Sequence, residues 1–346
     1  MTQKIYIVIL NFNCWNDTIE CIESVLSSVF QDFQIVLIDN KSTNDSESKI
    51  LSYLNGDIKA EFKNIYFKSK VINRNPKLPF VFYNSSEKAL SIDQIIETPF
   101  DNNKDVLHSL KHPIIFIQTN KNLGFAGGNN IGLKAILNSK QLYEDSKVLL
   151  LNPDTYIDSN ALDELQKIGH ELFMSSSRIN DYYRPQENIF YGAYKLIKPI
   201  ALLTPIKDQL KDYRIDYIYG AALLTNIKTI KKLGFLPEDY FLYWEETDWC
   251  FLAKQKNVKL IISPNSIVYD KGGTSIGRGY LAHYYYIKNG LFFYNKYLKK
   301  YLFTLIASNV FRLLNKIRKG EFRNALAIVN GTKDFIKGKK GNQTIS

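Results

Sequence analysis

Phe33-Gln34-Ile35-Val36-Leu37-Ile38-Asp39-Asn40 is an apolar run that ends abruptly on a carboxylate and an amide. Its β-branched content predicts a strand buried on both faces. The same figure recurs: Ile5–Leu10 runs into Asn11-Phe12-Asn13, Ile114–Gln118 into a glycine-bearing segment, and Val148–Leu151 into Asn152-Pro153-Asp154. Helical spacing lies between these runs. Residues 18–29 carry Ile19, Ile22, Val25 and Leu26 on one face behind Asp17 as a cap, a second helix begins near 46, and a third covers 129–138. Strands that alternate with helices and end in polar residues predict an α/β fold with a mostly parallel sheet and a ligand crevice at the carboxyl ends of the strands. Residues 55–112, with three prolines and the aromatic run Phe80–Tyr83, predict an insertion that decorates this core. Lys259–Ile262 and Ser266–Tyr269 predict short strands, and from Tyr280 the pattern is helical to about residue 338.

The 346 residues are 45% hydrophobic and 23% charged, which excludes a disordered, collagen-like or coiled-coil chain. Three cysteines with no CxxC pair exclude a disulfide framework and give no sign of zinc, so a reducing cytoplasm is expected. No apolar run is long enough to cross a bilayer, and the N-terminal Ile5–Leu10 reads as a strand, with no cleavable signal. Net charge is +11, of which residues 295–346 carry +10 from twelve Lys/Arg against two acids; the rest of the chain is nearly neutral. Within this tail Leu302, Phe303, Ile306, Val310, Leu313, Leu314 and Ile317 fall at helical spacing, with Thr304, Ser308, Arg312 and Lys316 on the other face. A basic amphipathic helix suits an anionic membrane surface; packing of the apolar face on the body, with the charges in water, is the other reading. No motif of nucleic-acid recognition accompanies the basic tail, so no nucleic-acid partner is expected.

Five constellations carry chemistry. Asp39-Asn40 can accept bonds from a base or ribose, or simply close a turn. In Asn122-Leu-Gly-Phe-Ala-Gly-Gly-Asn-Asn130 the glycines allow backbone to approach a ligand ahead of a helix start, though a tight strand–helix turn has the same look, and it is not the GxGxxG of a dinucleotide site. Asn152 and Asp154, two apart after a strand, offer hard oxygen ligands to Mg²⁺ or Mn²⁺ holding a diphosphate, or form a proline turn. Glu245, Glu246 and Asp248, set among large aromatics, are too close for all to ionise cheaply, so one is a candidate general base; acids at a helix start are the plainer reading. Asp270 and Lys271, after the last strand, could reach a phosphate or metal or sit in a surface turn.

Taken in order, VILNFN, LIDNKS, NLGFAGGNN, LLLNPDT, YGAALLT, FLYWEETDWC and VYDKGGTS resemble inverting glycosyltransferases of family 2, most of all the bacterial rhamnosyltransferase-like subgroup that builds surface polysaccharides. The resemblance spans about residues 1–50 and 113–295. It implies a GT-A fold, Rossmann-like, over residues 1–295, interrupted by the 55–112 insertion and followed by the basic helical region 296–346. It implies a donor site for a nucleoside-diphosphate sugar, lined or bordered by Asn11, Asp39, Asn40, Asn122, Gly124, Phe125, Asn129 and Asn152. It implies a divalent cation, Mg²⁺ or Mn²⁺, on Asp154. Asp270 stands where the family commonly has a histidine, and remains a competent ligand for the same ion. Glu246 matches the catalytic base, with Glu245 and Asp248 as its acidic neighbours. The function so implied is inverting sugar transfer to a hydroxyl of a lipid-linked glycan, from a cytoplasmic protein peripheral at the inner face of the membrane, with a deoxythymidine-diphosphate rhamnose the favoured donor. A non-catalytic nucleotide-sugar-binding scaffold on the same fold is the alternative.

Overall fold

The structure, a computed structural model, describes residues 4–70, 77–84, 91–97, 112–140, 142–208, 214–272 and 279–343. The first half runs β1 (Ile5–Asn11), α1 (Trp15–Leu26), β2 (Phe33–Asp39), α2 (Ser46–Leu54), α3 (Ile65–Lys68), β3 (Phe80–Asn84), α4 (Ile92–Glu97), β4 (Ile114–Gln118), α5 (Gly124–Leu137), β5 (Lys147–Leu151), β6 (Thr155–Ile157) and α6 (Ala161–Gln166). Then come β7 (Phe173–Asp181), β8 (Asn188–Phe190), β9 (Ala193–Ile197), β10 (Leu202–Pro205), β11 (Tyr217–Ile218), β12 (Ala222–Asn226), α7 (Ile227–Leu233), α8 (Glu245–Gln255) and β13 (Lys259–Asp270). Three helices finish the chain: α9 (Tyr280–Tyr297), α10 (Leu302–Arg318) and α11 (Phe322–Ile336).

The main sheet is ordered β3-β4-β2-β1-β5-β12-β7-β13-β6, with β8 on β7. The five strands from β3 to β5 are mutually parallel, and β12 enters antiparallel between β5 and β7. Alternate residues of β1 explain the two-faced core. Ile5, Ile7 and Ile9 pack with Ile19 and Ile22 of α1, while Tyr6 and Val8 pack with Leu133 and Ile136 of α5. A strand covered on both faces needs apolar residues at every position, which is why these runs read as continuous. Register then places the polar strand ends side by side: Asn11 opposite Asp39, and Asp39 opposite Gln118. A small antiparallel sheet, β10-β9-β11, stands beside this crevice.

Several sequence expectations shift. Helix α5 begins at Gly124, so the glycines lie within its first turns and not in a loop before it. Asp17 does not cap α1, which starts two residues earlier; its carboxylate instead meets Lys63 and Lys271. The two short strands expected near 259 and 266 are one strand, β13, with a register shift between Ser263 and Ile267. Within 55–112, Phe80–Asn84 is no decoration: it is an edge strand of the main sheet, parallel to β4. Phe67 of α3 is buried among Tyr156, Tyr182 and Tyr269. Residues 71–76, 85–90 and 98–111 of that segment, and Gly273-Thr274-Ser275 of the last motif, lie outside the described residues.

Candidate active site

Two cavities open side by side at the carboxyl ends of β1, β2 and β5. The first, about 240 Å³, is lined by Asn40, Asn122, Gly124, Phe125, Asn152 and Phe241, among others. The second, about 230 Å³, holds Asp154, Tyr217, Tyr219, Glu245, Glu246 and Tyr286. They share Phe125, Asn152 and Leu242, and so form one crevice with two compartments.

Polar side chains at the strand ends build the floor of the first compartment. Asn11 donates from Nδ2 to Asp39 Oδ1 (2.5 Å) and to Ser42 Oγ (3.1 Å), and accepts from Thr18 Oγ1 (2.8 Å). Asp39 also accepts from the Ser42 hydroxyl and from its amide N–H. Both Asn11 and Asp39 are wholly buried, so they shape the pocket from beneath and are not part of its lining. Asn40 reaches across: its Nδ2 donates to Asn122 Oδ1 and the Gly124 carbonyl (3.1 Å each), and its Oδ1 accepts from the Leu123 amide (2.9 Å). This amide clasp starts α5. Gly124 has φ +71°, and a Cβ there would lie 2.2 Å from the Phe241 carbonyl oxygen, which accepts from the Phe125 amide (2.8 Å). Only glycine fits so close an approach. Asn129 is buried within α5, donating to the Phe125 carbonyl, and lines neither cavity.

The second compartment is acidic. The antiparallel register of β13 on β6 sets Asp270 opposite Thr155, next to Asp154. Asp270 accepts from Tyr219 Oη (3.0 Å) and the Gly272 amide (2.7 Å), and burial with the Asp154 charge pushes its carboxyl up to about 6. Two buried carboxylates that repel one another are relieved by a shared cation. The pair therefore fits a hard divalent ion, with the remaining ligands to come from outside the protein: among the described residues no third Asp, Glu, His or Cys joins them. Lys271 does not face this compartment. Its buried Nζ turns inward to Asp17 (2.7 Å) and Glu20.

Glu245 and Glu246 arrive at the start of α8 from a strained loop. Phe241, Tyr243 and Trp244 have φ of +67°, +63° and +78°, a region large side chains avoid. Asn289 of α9 holds them there, donating from Nδ2 to the carbonyls of Tyr240 (2.7 Å), Leu242 (2.6 Å) and Tyr243 (3.2 Å), and Trp244 Nε1 donates to the Tyr286 carbonyl (2.9 Å). Burial pushes the Glu246 carboxyl up to about 7. Glu245 lies deeper, with Oε2 lacking a partner; burial and the Glu246 charge raise it further. Glu246 folds over Gly220, where a Cβ would stand 2.1 Å from its Oε1. Asp248 points elsewhere. It is closed in by Tyr240 Oη (2.7 Å), Tyr297 Oη (2.7 Å) and Lys296 Nζ (2.8 Å), so the sequence expectation that it could stand in as base is withdrawn: its oxygens tie α8 to α9. Asn289, Gly220, Tyr217 and Tyr286 were not singled out as site residues from the sequence. The one available signal was Asn289-Gly290 inside an otherwise aromatic helix.

Two compartments thus open at the carboxyl ends of a Rossmann-like sheet, one rimmed by amides and glycine, the other by paired acids, in an architecture of the GT-A kind. The model of glycosyl transferase family 2 matches residues 6–75 of this chain. The chain is 28% identical over 158 residues to the low-salt glycan biosynthesis hexosyltransferase Agl10 of Haloferax volcanii, a match over 42% of this chain and 48% of the relative. The chain thus spans about half the length of the curated relative it matches. Among solved structures, the mannosyltransferase PcManGT from Pyrobaculum calidifontis, in complex with GDP-Man and Mn²⁺, superposes with a TM-score of 0.50 at 11% identity, over 97% of this chain and 87% of that one. GalNAc-T7, with UDP, GalNAc and Mn²⁺, gives 0.50 at 14% identity, over 83% and 50%. At such identities these likenesses establish the fold.

Proposed function

We propose that this chain transfers a sugar from a nucleoside-diphosphate donor to a hydroxyl of a glycan acceptor, with inversion. One observation carries the reading: Glu246, a half-buried carboxyl raised to about 7, faces a compartment that shares Asn152 and Phe125 with the amide-rimmed pocket. The nucleoside diphosphate occupies the first compartment, between Asn40, Asn122 and Asn152. The sugar lies toward Asp154, and the acceptor enters between Tyr217, Tyr219 and Tyr286. Glu246 takes the acceptor proton as its oxygen attacks the anomeric carbon from the face opposite the leaving diphosphate. Glu245 keeps its own proton and leaves the negative charge to Glu246. Asp154 and Asp270 would hold Mg²⁺ or Mn²⁺, which when bound offsets the charge growing on the diphosphate. Positioning by the clasp and the strained loop supplies much of the remaining acceleration. We assign the acceptor to a lipid-linked glycan of bacterial surface polysaccharide, and the protein to the cytoplasmic face of the membrane. Support for both comes from the basic C-terminal helices and the motif pattern.

The test is a panel of nucleotide sugars with Mn²⁺ or Mg²⁺, read by donor hydrolysis and thermal shift. A single donor should stabilise the protein in a metal-dependent way, and Glu246→Gln should abolish turnover while keeping that stabilisation. A Glu246→Gln variant that turns over like the wild type would remove the base assignment. No response to any donor would remove the transferase reading.

A further inference from the structure

The apolar spacing of 302–317 leaves two readings, an apolar face laid on a membrane surface or one packed on the body. The structure turns that face outward. Phe303 is 81% exposed and Phe311 74%, and Val310, Leu314 and Ile317 are exposed with them. The side toward the body carries Leu305, Asn309 and Arg312, whose guanidinium lies 5.6 Å from the centre of the Tyr286 ring and donates to the Ile200 carbonyl (3.2 Å). Helix α11 repeats the arrangement: Phe322, Leu326, Val329 and Ile336 are exposed, while Ala325, Ala327, Ile328 and Gly331 are buried. Two neighbouring helices that both hold their apolar stripes in solvent do so against the main driving force of folding, unless something covers them.

Between the helices runs a groove of about 390 Å³, walled by Ile306, Val310, Leu313, Val329 and Ile336, with Lys333 and Lys337 among its lining. Asn309, also in that lining, is 4% exposed, and its Nδ2 has no hydrogen-bond partner. A buried amide N–H without an acceptor costs free energy until an oxygen reaches it. We propose that the α10–α11 hairpin is a docking face for an anionic lipid bilayer, with the groove seating one lipid: its chain between the apolar walls, its ester or phosphate oxygen on Asn309, its charge toward Lys333 and Lys337.

Charge selects this occupant. Residues 295–346 hold twelve Lys/Arg and two acids, so pairing this face with a second copy would press two segments of +10 together. A bilayer surface takes exposed phenylalanines into its acyl boundary, while anionic headgroups neutralise Arg318, Lys319 and Arg323 at the hairpin turn. Tyr286, under Arg312, lines the acidic compartment, so docking would bring the acceptor entrance to the membrane. The inference rests on the lipid-linked acceptor proposed above for its purpose, but it can be read without any donor.

The full chain is floated with phosphatidylcholine vesicles, with and without phosphatidylglycerol. Binding should require the anionic lipid and weaken with salt. Replacing Phe303, Phe311 and Phe322 together by serine should cut the bound fraction about tenfold or more, leaving the melting temperature and donor hydrolysis unchanged. Asn309→Leu should weaken binding several-fold. Wild-type protein that ignores anionic vesicles, or a triple variant that binds them equally, overturns the docking face; Asn309→Leu binding like the wild type removes the lipid seat. A stable dimer by light scattering that the triple variant dissolves would give the face to a second copy instead. Vesicle binding without donor turnover would sink the transferase reading and leave the docking face standing.

Discussion

At the scale of single residues, the site is a contest between burial and charge. Glu246 must lose its proton to act as base, and burial holds its carboxyl up to about 7. Turnover should therefore fall as pH drops below about 7, approaching tenfold per pH unit, in a pH–rate profile at saturating donor. Glu245 gives the complementary test. Its raised carboxyl stays protonated in the folded protein over a window where the unfolded chain has already released its proton. Stability from this group is thus complete below the ordinary glutamate range and declines as pH rises above it. Glu245→Gln keeps the shape and removes that liability. Its melting temperature should exceed the wild type's at pH 8 by a few degrees, with little gain at pH 5. Gly220→Ala separates position from chemistry. The new Cβ would displace the Glu246 carboxyl, which is the end of a flexible side chain, so kcat should drop about a hundredfold while the fold melts within a degree or two of the wild type.

At the scale of elements, the loop between Tyr240 and Glu245 carries the acids, and α9 decides its shape. Phe241, Tyr243 and Trp244, with positive φ, would relax if the carbonyls of Tyr240, Leu242 and Tyr243 lost their donor. Asn289→Ala removes three hydrogen bonds, an expected loss of roughly 2–4 kcal/mol. It should lower kcat at least tenfold, with the donor KM nearly unchanged, because the clasp at Asn40 and Asn122 is untouched. Steady-state kinetics beside thermal melts would check both. This coupling also marks how far the sequence could be read. The strands announced themselves because burial on both faces leaves a continuous apolar run, and their polar ends located the crevice through Asn11, Asp39, Asn152 and Asp154. Hidden was anything set by contacts distant in sequence. Asn289 meets carbonyls 46 to 49 positions away. Left-handed backbone at Phe241, Tyr243 and Trp244 has no local signature, since those residue types argue against it. Asp248 looked as available as Glu246 by spacing. It is Tyr297 and Lys296, from another helix, that take it out of the site. Helical period alone showed that α10 is amphipathic; which face turns inward depends on Tyr286 and the Ile200 carbonyl, which meet Arg312.

At the scale of the whole molecule, the two ends of the catalytic fold are joined by one buried cation. Lys271 follows Asp270 at the end of β13. Its amide donates to the Asp154 carbonyl (3.2 Å), and its Nζ pairs with Asp17 and Glu20 of α1, more than 250 positions earlier in the chain. Glu20 also accepts from Tyr182 Oη, and the ammonium sits 4.7 Å from the Tyr182 ring centre. The triad thus fixes the strand that bears Asp270 against the helix that follows Asn11. Burial alone would raise Asp17, but Lys271 and Lys63 hold its carboxyl below the ordinary range. That stabilisation is present above the unfolded value and is lost as pH falls through the folded one. Lys271→Met fills the space but leaves buried Glu20 without a cation and Asp17 with Lys63 alone, an expected loss of about 3 kcal/mol near neutral pH. Because Lys271 helps to hold the Asp17 carboxyl low, the gap between variant and wild type should narrow as pH falls through the range of that carboxyl. Denaturant melts across that range give the sign directly: a constant gap would mean that Lys271 acts by packing alone. Because the same residue steadies Asp154 and Asp270, the variant should also need more Mn²⁺ for half-maximal donor hydrolysis, while the compartment built from Asn40 and Asn122, proposed above for the nucleotide, keeps its affinity.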